Sequence, residues 1–252
     1  MMKAPRRDAF RRCPTVTQPR RWSAAALHSA LLGRLVVSCQ PVDGGAMDDD
    51  AVVVRMAQAA VAGGAAALRI EGAHRLALVR QRVTVPLVGI VKRDLAGSPI
   101  RITPWLDDVQ ALLAAGADVV AVDATARPRP VPVDVLQQAI QGGGALAMAD
   151  CATAADALTA WAGGFDVVGT TLSGYTGGAV PATPDLGLVA QLAAMGCRVM
   201  AEGRYDTPQR AAAALQAGAW AVTVGSALTR LEVVTGWFAQ ALAEHHESRE
   251  NP

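Results

Sequence analysis

The stretch A-A-G-A-D-V-V-A-V-D-A-T, residues 114–125, carries the reading on which the fold turns. A glycine closes an alanine-rich helical end, and an apolar run follows at once and finishes on a carboxylate. Glycine is a helix C-terminal signal, and an apolar run without period-two alternation is how a strand buried on both faces looks. The unit returns as V-A-G-G-A-A-A-L-R-I-E-G (61–72), W-A-G-G-F-D-V-V-G-T-T-L (161–172) and Q-A-G-A-W-A-V-T-V-G-S-A (216–227). Repetition of one helix-to-strand junction is the mark of a repeated βα unit.

Working outward, eight strand-like runs are expected, near 34–39, 66–70, 87–92, 119–123, 145–150, 167–172, 198–202 and 221–225. Their alternation with helices predicts a parallel sheet, and the count of eight predicts an α/β (β/α)8 barrel, also called a TIM barrel. A helix over 22–32, stopped by Gly33, precedes the first strand and is expected to cover the barrel bottom. A doubly wound open sheet is the alternative, disfavoured because no G-x-G-x-x-G follows the first strand. The domain reading is a basic N-terminal extension over 1–21, one catalytic barrel over 22–246, and a tail over 247–252. Two loops, 127–132 and 173–184, are long enough to lie over a site.

The 252 residues, 52% hydrophobic and 18% charged, suit one large core. Residues 1–21 carry a net +6 and the remainder about −5. The basic segment has no apolar periodicity and reads as a disordered extension; an arm for nucleic acid is the competing reading, with little aromatic support. Neither a signal-peptide core nor a membrane-length apolar run is present, so a cytoplasmic protein is expected. Cys13, Cys39, Cys151 and Cys197 stand singly, which argues against a zinc site or a disulfide framework.

A barrel places its chemistry at the C-terminal ends of its strands. Those ends read Gln40, Arg69 with Glu71, Lys92, Asp123, Asp150, Thr170 with Thr171, Glu202 with Arg204, and Gly225 with Ser226. Lys92 closes P-L-V-G-I-V-K (86–92) and is one of only two lysines, the other being Lys3, against 21 arginines. Arginine cannot release its proton at working pH, whereas a desolvated ammonium can, so Lys92 is a proton-transfer or nucleophilic candidate. Glu202, in V-M-A-E, supplies a carboxylate at the same mouth. The loops E-G-R-Y-D-T-P and G-S-A-L-T-R after the last two strands offer backbone N–H groups to an anion, with Thr207 and Pro208 as N-cap and first residue of the next helix. Arg204 or Arg230 adds a charged contact. His28, His74, His245 and His246 lie away from strand ends and receive no catalytic role. Asp107 and Asp108 read as helix-start carboxylates, not as a metal site. The last helix, 228–245, carries a stripe of Leu231, Val234, Phe238 and Leu242 that is expected to close the barrel, with Trp237 leaving room for a homodimer contact.

With these residues in place, the chain resembles the N-acetylmannosamine-6-phosphate 2-epimerase family of bacterial sialic-acid breakdown. The resemblance rests on V-V-S-C-Q (36–40), G-I-V-K-R-D (89–94), I-T-P (102–104), D-A-T-A-R-P-R-P (123–130), A-M-A-D (147–150), G-T-T-L-S-G-Y-T (169–176), A-E-G-R-Y-D-T-P (201–208) and V-G-S-A-L-T-R (224–230), occurring in order. It implies a barrel of the ribulose-phosphate-binding type that interconverts N-acetylmannosamine 6-phosphate and N-acetylglucosamine 6-phosphate without cofactor or metal. By resemblance Lys92 is the catalytic base, Glu202 its partner, and Asp150 a residue supporting catalysis. Gln40 and Arg69 fall on substrate-contacting positions, Thr170 and Thr171 are expected beside them, and Gly203, Arg204, Gly225, Ser226 and Arg230 form the phosphate side. Residues 1–21 have no counterpart in the family pattern, and the loop 177–183 is particular to this chain. For Lys92 to act as a base its pKa must fall from about 10.4, with Arg69 lowering it and Asp150 and Glu202 opposing. A Schiff-base sugar-phosphate lyase on the same barrel is the alternative chemistry for Lys92.

Overall fold

The computed structural model describes residues 22–177 and 179–250. The basic segment 1–21, Cys13 and the last two residues lie outside the described residues. Eight parallel strands close into a barrel in sequence order: β1 Arg34–Cys39, β2 Ala67–Glu71, β3 Leu87–Ile90, β4 Val119–Asp123, β5 Leu146–Asp150, β6 Val167–Gly169, β7 Val199–Glu202 and β8 Ala221–Val224. Helices α1 Ala24–Leu31, α2 Asp50–Ala62, α3 Ala73–Arg80, α4 Leu106–Ala114, α5 Val133–Gly142, α6 Ala154–Ala162, α7 Leu186–Ala194, α8 Pro208–Gln216, α9 Ser226–Thr229 and α10 Leu231–Glu250 complete the chain.

Side chains alternate across the barrel wall. Val36, Ala67, Val88, Val119, Leu146, Val167, Met200 and Ala221 point inward into one packed cluster, and their neighbours Val37, Leu68, Leu87, Val120, Ala147, Val168, Val199 and Val222 point outward beneath the helices. Both faces are covered, which is why the strands read as unbroken apolar runs.

Ser23 caps α1 by accepting from the Ala26 N–H, and Leu27 and Leu31 join the inner cluster with Trp220. The helix is tied there by Gly33 N–H donating to Trp220 O at 2.7 Å and by Trp220 Nε1 donating to His28 O at 3.3 Å. It seals the N-terminal end of the barrel, and each buried leucine contributes roughly 1.5–3 kcal/mol.

The C-terminal stripe departs from the expectation that it closes the barrel. The chain breaks at Arg230 between α9 and α10, and Leu231, Phe238 and Leu242 are 62%, 69% and 72% exposed. With α8 packed on β8 and α9 on β1, α10 leaves Leu231, Phe238 and Leu242 uncovered. The segment from 247 read as a tail continues α10 as far as Glu250.

Candidate active site

The inward parity of each strand delivers polar side chains to the C-terminal mouth, where a cavity of about 680 Å³ opens. Arg69, from the middle of β2, stands at its floor and is 2% exposed. Its Nη2 donates to Asp150 Oδ2 at 2.7 Å, and its Nη1 donates to Asp150 Oδ1 at 3.2 Å and to Glu202 Oε2 at 3.0 Å. Thr171 Oγ1 donates to the same Asp150 Oδ1 at 2.7 Å. One guanidinium is thus shared by carboxylates from β5 and β7. Burial opposes its charge, but Asp150 and Glu202 outweigh that and hold Arg69 firmly protonated.

Glu202 faces the cavity, whereas Asp150 is fully buried behind Arg69. Burial pushes the Glu202 carboxyl up to about 7; Arg69 opposes this, the Asp150 charge adds to it, and Lys92 and Thr171 pull it back. Lys92 lies just past β3, its backbone N–H donating to Glu71 Oε1 at 3.3 Å. Its pKa is lowered, first by burial and then by the Arg230 charge, with Arg69 adding to the fall. First among the carboxylates that pull the other way are Asp43 and Glu71, of which only Glu71 is legible at a strand end.

Gln40, Lys92, Thr171, Glu202, Gly203, Arg204, Gly225, Ser226 and Arg230 all line this one cavity. Thr170 does not. Its Oγ1 donates to Glu202 O at 2.9 Å and accepts from Glu202 N–H at 3.1 Å. It lies one residue off the inward parity of β6, so its side chain sets the backbone of Glu202 and does not line the cavity. Arg204, with φ of +63°, points its guanidinium at a loop: Nε donates to Thr183 O and Nη1 to Ser173 O, each at 2.7 Å, and the group lies over the Tyr175 ring. Arg230 Nε donates to Gln40 O at 3.0 Å, tying the last loop to the end of β1. Gly203 takes φ of +113°, a conformation that glycine adopts without a steric penalty. Thr207 caps α8 by accepting from the Arg210 N–H, with Pro208 first in the helix.

Several lining residues were not singled out by sequence. Ser38 and Thr223 share the inward parity of Gln40 and Gly225, a signal that was available. Arg101, Arg127, Tyr175, Tyr205 and Trp237 come from loops and α10, where no period announces them. Asp123 is buried and accepts from Thr125, Arg127 and Arg129, holding Arg127 at the mouth. Asp108 in the first turn of α4 pairs with Arg93 at 2.6 Å. His28 stacks on Trp220 and His74 pairs with Asp50, neither at the cavity. Cys39, Cys151 and Cys197 are free and buried. Among the described residues, no group of three or more His, Cys, Asp or Glu side chains is arranged to hold a metal ion, and no helix is long and apolar enough to cross a membrane.

The arrangement suits sugar-phosphate proton transfer, and comparison with known proteins agrees. Residues 53–244 match the family described as "Putative N-acetylmannosamine-6-phosphate epimerase". A "Putative N-acetylmannosamine-6-phosphate 2-epimerase" of Proteus mirabilis (strain HI4320) is 58% identical over 215 residues, covering 85% of this chain and 93% of that protein. One of the same description from Klebsiella pneumoniae (strain 342) is 59% identical over 210 residues, covering 83% and 90%. The solved structure of the N-acetylmannosamine-6-phosphate 2-epimerase from Clostridium perfringens superposes with a TM-score of 0.83 at 36% identity, covering 85% of this chain and 96% of that one. On these matches the chain belongs to the N-acetylmannosamine-6-phosphate epimerase family.

Proposed function

We propose that this protein interconverts N-acetylmannosamine 6-phosphate and N-acetylglucosamine 6-phosphate, in amino-sugar and sialic-acid catabolism, by removing and returning the proton on C2. The observation that carries the reading is the convergence of Lys92, Glu202 and Arg69 on one cavity, with glycine-bearing loops on its β7–β8 side. In the ring-opened sugar, C1 is an aldehyde and the C2 proton is acidified beside it. Its removal leaves an enolate whose charge needs donors already in place. Lys92, lowered by burial, supplies the neutral amine that takes the proton. Glu202 can carry a proton near neutrality, which suits exchange at the other face or at a sugar oxygen. Gln40 and Thr171 flank the sugar; Gly203, Gly225, Ser226 and Arg230 receive the phosphate, with Arg204 holding the adjoining loop. Asp150 keeps Arg69 aimed at Glu202. Every atom exchanged is a proton, so the reaction as written needs no cofactor or metal.

The test is solvent-deuterium incorporation at C2. Lys92→Ala and Glu202→Ala should each abolish it, and full exchange in either variant removes that residue from the chemistry. Lys92→Arg should also fail, because arginine retains the charge but does not give up the proton. The same lowered amine suits a Schiff-base lyase, which borohydride would trap as a reduced adduct on Lys92; the epimerase leaves none. The partners we propose are a sugar phosphate and, through the exposed apolar side of α10, a second copy of this chain. A cytoplasmic site of action, without nucleic acid or membrane, accords with a substrate made by cellular phosphorylation.

A further inference from the structure

The seam between β3 and β4 is one of two short seams in the barrel wall, the other lying between β6 and β7. Strands β3 and β4 pair only at Val88 with Val119 and Gly89 with Val120, whereas β4 and β5 pair along five positions. Beyond Gly89 the strands part, and a segment of the β3–α4 loop is wedged between them. Residues 101–103 run antiparallel to 91–93: Arg93 N–H donates to Arg101 O at 2.9 Å, Lys92 bridges Ile102, and Thr103 N–H donates to Val91 O at 2.7 Å. On the far side Asp123 N–H donates to Ile102 O at 3.1 Å. Lys92 therefore leaves the barrel on a small hairpin, not on an ordinary strand end.

Thr103 pins that hairpin. Its Oγ1 accepts from the Val91 N–H at 3.2 Å and donates to Ala121 O at 2.7 Å, joining the end of β3 to the middle of β4 through one hydroxyl. It is fully buried and adopts φ of +47°. A β-branched residue is strained there and glycine would not be. The threonine is thus held where backbone comfort favours another residue, and what it offers that glycine lacks is the hydroxyl. We infer that Thr103 is a positioning residue, whose hydroxyl bridge between β3 and β4 fixes the hairpin and so the direction from which the Lys92 amine enters the cavity. This rests on Lys92 being the proton-transfer group. The groups facing that amine, Arg230, Asp43, Arg69, Glu71 and Glu202, sit on other elements, and of these Glu71 also meets the hairpin by accepting from the Lys92 backbone N–H.

The test compares Thr103→Val, which keeps shape and branching without the hydroxyl, with Thr103→Ser, which keeps the hydroxyl. Thr103→Gly is the third variant, since it removes both the bridge and the strain and guards against a valine variant that fails to fold. Thr103→Val and Thr103→Gly should lower kcat by about a hundredfold, the scale of a roughly 1 Å misplacement of a reacting group. KM should stay within about twofold and Thr103→Ser should restore most of kcat. Acetic anhydride labelling of Lys92 across pH, read by mass spectrometry against a free lysine peptide, gives a second readout. Its midpoint should rise toward the ordinary value in Thr103→Val and Thr103→Gly as water reaches the amine, and stay put in Thr103→Ser. An unchanged kcat, or an unchanged labelling midpoint, in the folded Val or Gly variant overturns the inference, as does failure of serine to restore either. Lys92→Ala is assayed alongside: exchange surviving there overturns the role of Lys92 itself, whatever the Thr103 variants do.

Discussion

One guanidinium answers two carboxylates at the floor of the cavity, so the cost of losing it falls on both. In Arg69→Ala, Asp150 and Glu202 lose the guanidinium they share in a buried setting, and a loss of about 3–5 kcal/mol in urea unfolding is expected, together with loss of activity. Arg69→Lys should recover little, because a point ammonium cannot hold two carboxylates in the fork geometry. The two groups proposed to move the proton carry opposite pH signatures. Glu202 is raised from 4.5 to about 7, so its protonation stabilises the native state fully below 4.5 and that contribution is lost as pH rises through 7. Glu202→Gln should flatten this fall in melts taken from pH 4.5 to 7. Lys92 is lowered from 10.5, so the shift costs native stability at neutral pH, and the cost disappears as pH climbs to 10.5. Lys92→Met should melt above the parent at pH 7, with the gap closing toward pH 10.5; a gap that widens would mean the native amine is stabilised as a cation.

At the scale of elements, two glycines inside strands show how closely the parts approach. A Cβ on Gly89 of β3 would lie 2.7 Å from Leu76 Cδ1 and 2.9 Å from Leu112 Cδ2, so α3 and α4 rest directly on the backbone there. Gly89→Ala should cost about 1–3 kcal/mol by overpacking, read by denaturant midpoint. On the inner side, a Cβ on Gly169 would come within 2.6 Å of Met148 Cε and 3.1 Å of both Asp150 Oδ1 and Thr171 Oγ1. Gly169→Ala should therefore disturb the Asp150–Arg69 arrangement and lower kcat more than its stability loss alone accounts for. These elements were legible in sequence to different depths. Strands β1 and β4 match their expected spans, because each is a single apolar run bounded by turn residues. Strands β3 and β6 end early, at Ile90 and Gly169, where the sequence runs on as apolar or β-favouring. The β3 ladder is interrupted by a wedge from its own loop, and Thr170 turns its side chain into the wall to bind the Glu202 backbone. Both events are contacts between distant residues, which local propensity does not encode. For the same reason Glu202 and Lys92 were found from their strand ends, whereas Arg127 was not: its place depends on Asp123 holding it across a loop.

At the scale of the molecule, amphipathic spacing along α10 was legible but its direction was not, since a helix with an apolar stripe says only that the stripe meets something. Leu231, Phe238 and Leu242 stand exposed on a helix that runs off the barrel, and we propose that they meet a second copy. Sedimentation velocity of the parent should show a dimer and Phe238→Glu with Leu242→Glu a monomer; a monomeric parent would mean that the stripe has another partner. The account as a whole stands on proton exchange at one carbon. Its most direct test is a proton NMR time course of N-acetylmannosamine 6-phosphate with the purified full-length protein in D₂O. The account predicts N-acetylglucosamine 6-phosphate carrying deuterium at C2; folded protein that leaves the spectrum unchanged, or yields product still protonated at C2, would contradict it.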